Sequence, residues 1–113
     1  MNRSRFETGT AKRAHENTIL ASAVLPAGFD APFSHAWGYM DTPGEMEVHS
    51  HHNQEVYIFI QGEGLVMVGD ETQPVGPGDV IHIPPDAPHT VISEKNAPLL
   101  WAAFWWPLAE TQQ

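Results

Sequence analysis

The sequence predicts an all-β fold, a sandwich or barrel of short strands. Three observations point to it. Ten Pro and nine Gly fall within 113 residues, so turns are frequent. Runs rich in β-branched and aromatic residues recur at short intervals, with turn chemistry between them. No stretch carries a convincing amphipathic helical pattern. The length suits one domain with one core, and 42% hydrophobic residues argue against disorder.

Residues 1–17 are polar without a sustained period. They read as an arm, either loose or packed on a neighbouring subunit, ahead of a domain over 18–108 and a tail at 109–113. The first strand is expected at 18–25, broken by Pro26 and Gly28. Residues 27–34 carry Gly28, Pro32 and two Phe and suggest an irregular covering segment. A strand over 35–40 places His35, Trp37 and Tyr39 on one face, for packing, subunit contact or a pocket wall. Asp41-Thr-Pro-Gly44 is a turn signal.

A strand from Glu45 to His51 follows, whose alternation puts Glu45, Glu47, His49 and His51 on one side and Met46, Val48 and Ser50 on the other. The next runs from Glu55 to Ile60, with Glu55, Tyr57 and Phe59 sharing a face. Strands at 65–68, 72–75, 79–83, 89–93 and 98–106 complete the chain, separated by Gly69-Asp70-Glu71, Gly76-Pro-Gly78, Pro84-Pro85 and Pro88. Trp101, Trp105 and Trp106 cannot all face one way, so at least one is expected at the surface, in an oligomer interface.

There is no cysteine, which excludes disulfides and thiolate metal sites. Any metal must be held by His, Asp or Glu. His49 and His51 stand two apart on an extended segment, which turns both imidazoles to one face, and Glu55 follows after a short turn. His89 is the candidate fourth ligand. Such nitrogen and oxygen donors suit a divalent first-row ion: Mn, Fe, Co, Ni, Cu or Zn. His52 lies on the opposite alternation from His51 and is expected to face solvent or support the site. His82, inside a strand, reads as a hydrogen-bonded structural residue.

The formal net charge is −9, and four of the five basic residues (Arg3, Arg5, Lys12, Arg13) lie in the first 13 positions. From residue 14 onward Lys95 is the only Lys or Arg. A body so acidic repels phosphate backbones, so nucleic-acid binding is not expected. No run has the apolar length of a signal peptide or a spanning helix, so no membrane role is expected and the default compartment is the cytoplasm.

Two blocks resemble the paired motifs of the cupin superfamily. Gly44 is followed by four residues, His49-Ser50-His51, three residues, Glu55, six residues and Gly62. Gly78 is followed by five residues, Pro84-Pro85-Asp86, two residues and His89, with Ser93 three further on. The first spacer is one residue shorter than the family pattern, Asp86 stands at a turn Gly, and Ser93 stands at an Asn; none of these removes a ligand. The resemblance implies a double-stranded β-helix of two antiparallel sheets and a metal held by His49, His51, Glu55 and His89. It also implies a homodimer, and activities ranging from dioxygenase to decarboxylase, lyase and isomerase, or binding without turnover.

A metal-dependent enzyme acting on a small oxygen-rich molecule is therefore expected. A substrate with adjacent oxygens would chelate at two open coordination positions. Glu47 and Tyr57 are the candidate catalytic groups for proton transfer. The alternative is a non-catalytic binder of a metal or small metabolite.

Overall fold

The computed structural model describes residues 1–41, 43–95 and 97–108. Thr42, within the expected turn at 41–44, and the expected tail at 109–113 lie outside the described residues. The chain forms ten strands: β1 (Lys12–Ala14), β2 (Ile19–Ser22), β3 (Ser34–Met40), β4 (Gly44–Glu45), β5 (Gln54–Gln61), β6 (Gly64–Val68), β7 (Glu71–Val75), β8 (Val80–Ile83), β9 (His89–Ser93) and β10 (Leu99–Trp106). They build a six-stranded sheet in the order β1-β2-β3-β10-β5-β8 and a four-stranded sheet in the order β4-β9-β6-β7. All pairings are antiparallel. The fold is all-β, as expected, and among the described residues no helix is long and apolar enough to cross a membrane.

The inner faces follow from alternation. In β5, Glu55, Tyr57 and Phe59 are buried while Val56 and Ile58 are only half-covered on the outer face. In β10, Trp101, Ala103 and Trp105 turn inward and Phe104 and Trp106 outward, so the tryptophans divide as their spacing requires. Phe59, Trp101, Leu99, Ile83, Val91 and Met46 are almost wholly buried between the sheets. A buried Phe or Trp removes about 150–250 Å² from water, roughly 4–6 kcal/mol each before ordering costs. β3 turns Ala36 and Gly38 inward, and a Cβ at Gly38 would overlap the Trp101 indole. His35, Trp37 and Tyr39 share the outer face, as the alternation predicts. There Phe6 lies 5.0 Å from Tyr39 and 6.4 Å from Trp37 between ring centroids, and Phe33 covers His35 and Phe104.

Two departures from the expected strands matter for the site. Lys12–Ala14, within the expected polar arm, pairs with β2. Its charged, mostly exposed residues show no alternation because it is an edge strand, blunted by Lys and Arg. The expected continuous strand from Glu45 to His51 is the second departure. β4 stops at Glu45, and the chain then runs irregularly beside β9. Glu45 pairs with Ile92, the Met46 amide donates to Val91 at 2.9 Å, and His49 pairs with His89. Glu47 and Val48 therefore stand together opposite Thr90. This bulge inserts one extra residue and reverses the parity of the segment. Met46 and His49, three apart, both point inward, and Val48 is 48% exposed.

Candidate metal centre

Four side chains converge at one end of the space between the sheets. His49 and His51 come from the bulged segment, Glu55 from the start of β5, and His89 from the first residue of β9. Each offers a ligand atom, and these atoms all lie within 4.8 Å of one another. The imidazole centroids are 4.2 Å apart for His49 and His89, 5.0 Å for His51 and His89, and 5.8 Å for His49 and His51.

The backbone fixes the orientation of every ring. Nδ1 of His49 donates to the Glu47 carbonyl at 3.0 Å, Nδ1 of His51 to the Asn53 carbonyl at 3.0 Å, and Nδ1 of His89 to the Ala87 carbonyl at 2.9 Å. A carbonyl oxygen can only accept, so each Nδ1 carries its hydrogen. In the neutral ring the opposite nitrogen, Nε2, then presents a lone pair. Glu55 is buried, with Oε1 3.0 Å from Nε2 of His51 and 3.3 Å from Nε2 of His89. His89 is fully buried, and among the described residues its Nε2 has no hydrogen-bond partner.

With all three rings neutral, three lone pairs and a carboxylate face one another with no donor between them. Acceptors packed this way repel unless a positive charge sits among them. Neutral imidazoles with a carboxylate are also the donor set of a divalent transition ion, and the three carbonyls are the outer partners that such ligands use to hold their tautomer. The residues present therefore fit a metal. Burial lowers the His49 pKa from its ordinary 6.5, His89 and His51 add to the lowering, and the Glu47 carbonyl and the Glu55 charge oppose it.

The cluster borders a cavity of about 310 Å³, whose inner wall carries Ile19, Met46, Tyr57, Trp101 and Trp105. Small side chains at Ala21, Ala36, Gly38 and Ala103 leave that space open.

The family model described as "Cupin domain" matches residues 39–106. The chain belongs to the cupin family. An uncharacterized protein of Methanocaldococcus jannaschii is 38% identical to this cupin over 81 residues, which is 71% of this chain and 53% of that protein. The chain thus spans about half the length of that relative. Among solved structures, the plu4264 protein of Photorhabdus luminescens superposes with a TM-score of 0.81 at 32% identity, covering 94% of this chain and 88% of that one. A cupin 2 conserved barrel domain protein of Salinispora arenicola superposes with a TM-score of 0.82 at 22% identity, with the same coverage of 94% and 88%.

Within this cupin, the four residues expected as ligands from their spacing are brought together, and the two expected proton-transfer groups are separated. Tyr57 lines the cavity 6.1 Å from the His89 ring between centroids. Burial, with the Glu55 charge adding, raises its pKa well above the ordinary phenol value of 10.0, so it is a hydrogen-bond donor and not a base at neutral pH. Glu47 is not among the residues lining the cavity. The bulge takes its side chain off the His49 face, and what it gives the site is its carbonyl.

His52 is exposed and pairs with Asp86 at 3.2 Å. Asp86 adopts φ 66, the left-handed turn in which the family pattern has Gly. Ser93 is buried and its hydroxyl donates to the Lys95 carbonyl at 3.2 Å. His82 departs from the expectation. It is exposed on the outer face of β8 and makes no side-chain hydrogen bond among the described residues, because its register partner Val56 offers none. The residue missed altogether is His15. It follows β1, lines the cavity, and has its ring centroid 4.3 Å from that of His49. Burial, and then the neighbouring His49, lower its pKa from 6.5. Its only sequence signal was a histidine in an otherwise charged, non-periodic arm.

Proposed function

We propose that this cupin is a metal-dependent enzyme whose centre, His49, His51, Glu55 and His89, acts on a small oxygen-rich organic molecule. The observation that carries the proposal is the convergence of three oriented Nε2 lone pairs and a buried carboxylate beside an open cavity. A divalent transition ion held there supplies Lewis acidity toward adjacent substrate oxygens and, as iron, a place for dioxygen. The carbonyls of Glu47, Asn53 and Ala87 keep the three imidazoles in the ligating tautomer. Tyr57 offers its phenolic hydrogen to the bound molecule, and the Trp101 and Trp105 wall limits water around it.

A second reading, a binder without turnover, is favoured by the predominantly apolar cavity wall. We also infer a homodimer in the cytoplasm. The outer face of the six-stranded sheet supports the dimer, where Ile60 and Val80 are 46% and 61% exposed. Light scattering that returns the mass of a single chain would remove the dimer.

The deciding experiment is elemental analysis of untagged protein purified without chelator, beside a His49→Ala/His89→Ala variant. About one transition ion per chain, lost in the variant, is the expected result. Substrate turnover by the loaded protein then separates enzyme from binder. A wild-type protein that takes up none of Mn, Fe, Ni or Zn would refute the metal centre.

A further inference from the structure

His15 comes to the cavity from outside the part of the chain that matches the family model, which begins at residue 39. β1 and β2 pair with Ala14 opposite Ile19, and four residues close the hairpin between them. His15, Glu16 and Asn17 all hold left-handed backbone, with φ of 51, 57 and 64. L-residues visit this region singly, so a run of three persists only when the surroundings hold it in place.

The holding contacts are specific. The Thr18 amide donates to the His15 carbonyl at 3.1 Å, and the Thr18 hydroxyl donates to the same oxygen. That hydroxyl accepts the Glu47 amide at 3.0 Å, and the Glu47 carbonyl accepts Nδ1 of His49. The hairpin turn is therefore tied to the loop that orients a candidate ligand. It places the His15 ring against His49 at the cavity wall. Neither ring nitrogen of His15 has a hydrogen-bond partner among the described residues, so one N–H donor and one lone pair remain available to a bound molecule.

We propose that His15 hydrogen-bonds the organic ligand of this site, and that the cavity selects a compact chelating monoanion with an apolar body. The proposal rests on the metal reading above. A divalent ion with three neutral imidazoles and the Glu55 carboxylate leaves one net positive charge. The cavity lining holds no Lys or Arg to neutralise a second negative charge. The volume of about 310 Å³ corresponds to roughly ten water molecules at their share of liquid volume, which limits the ligand to a small molecule. Ile19, Met46, Trp101 and Trp105 offer apolar and aromatic surface to its body.

The test uses the Co(II)-loaded protein, read by its visible absorption, with benzoylformate as probe. Benzoylformate is a chelating 2-oxo monoanion carrying a phenyl ring. Oxalate, a chelating dianion without an apolar body, is the comparison. Benzoylformate is expected to shift the Co(II) bands saturably and to bind at least about tenfold more tightly than oxalate. His15→Gly, which suits the left-handed backbone, is expected to keep the Co(II) stoichiometry and the melting temperature. It should weaken benzoylformate about tenfold, the scale of one hydrogen bond. His15→Gln, which restores a donor and an acceptor, is expected to recover most of that loss.

A wild-type protein with no Co(II) bands would sink the metal reading and this proposal with it. Normal Co(II) bands that benzoylformate does not move, or that oxalate moves as readily, would overturn the ligand class alone. Unchanged benzoylformate affinity in His15→Gly, or loss of Co(II) itself, would overturn the role assigned to His15.

Discussion

Replacing Glu55 with Gln should stabilise the metal-free protein and abolish its stabilisation by metal. In the native site, Oε1 lies 3.0 Å and 3.3 Å from the Nε2 atoms of His51 and His89. Both nitrogens present lone pairs, because their Nδ1 hydrogens are donated to Asn53 and Ala87. A glutamine amide placed there brings two N–H donors to these two Nε2 atoms. Each new bond is worth about 1 kcal/mol net, so the metal-free protein gains roughly 1–2 kcal/mol.

For a domain of 113 residues that is a rise in Tm of about 4–8 °C, at about 4 °C per kcal/mol. Metal acts in the other direction. At a thousandfold excess over Kd the wild-type protein should gain about 4 kcal/mol from the ion, and the Gln variant, having lost the anionic ligand, little of it. The assay is thermal unfolding with chelator and with added Mn or Ni, at about pH 8 to suppress imidazole protonation. A metal-free Gln variant that melts below metal-free wild type would refute the reasoning. Glu55 would then be holding a protonated imidazole, and the converging lone pairs would not exist.

Two further outcomes are expected. The pKa values of His15 and His49 are depressed below 6.5 in the folded state, chiefly by burial, so the unfolded chain binds more protons between the depressed values and 6.5. The stability of the metal-free protein should therefore be fully present above about pH 7 and fall as pH drops through 6.5 toward the depressed values. The slope of Tm against pH should be shallower in His15→Gly. Gly38→Ala drives a methyl into the Trp101 ring and should cost about 1–3 kcal/mol, or a fall in Tm of about 4–12 °C. Gly44→Ala, with nothing within 4 Å of the added carbon, should change stability by no more than about 0.5 kcal/mol; equal effects at the two glycines would contradict the packing described.

Much of the architecture was legible because its signals are local. The alternation of Glu55, Tyr57 and Phe59 against Val56 and Ile58 sets which face of β5 is buried. Trp101 and Trp105 stand an even number of residues apart and share the inner face, while Trp106 takes the other. Asp86 could be read as a tolerated turn residue from its place at the family motif's Gly, and its φ of 66 agrees. Local pattern failed where pairing overrode it. Alternation assigned Glu47 to the side of His49, but the bulge opposite Thr90 shifted the parity, buried Met46, and left Glu47 to act through its carbonyl. No local property of Glu47 announces that shift, because register belongs to the pair of strands and not to either one.

The sequence by itself determined most of the strands, the exclusion of thiolate chemistry and the identity of the four clustered donors. Three of those donors lie within seven consecutive residues, from His49 to Glu55, and the fourth sits in a motif of recognisable spacing. Tertiary structure decided the rest. It set which nitrogen of each imidazole faces the centre, since that depends on carbonyls brought into place by the folded backbone. It opened the cavity by opposing small residues from β2, β3 and β10. It also delivered His15 to His49 across 34 positions of chain, the difference between their residue numbers. A contact that distant is fixed by the pairing of β1 with β2 and the hydrogen bond from the Glu47 amide to the Thr18 hydroxyl, long-range geometry that residue type and spacing in the arm do not encode.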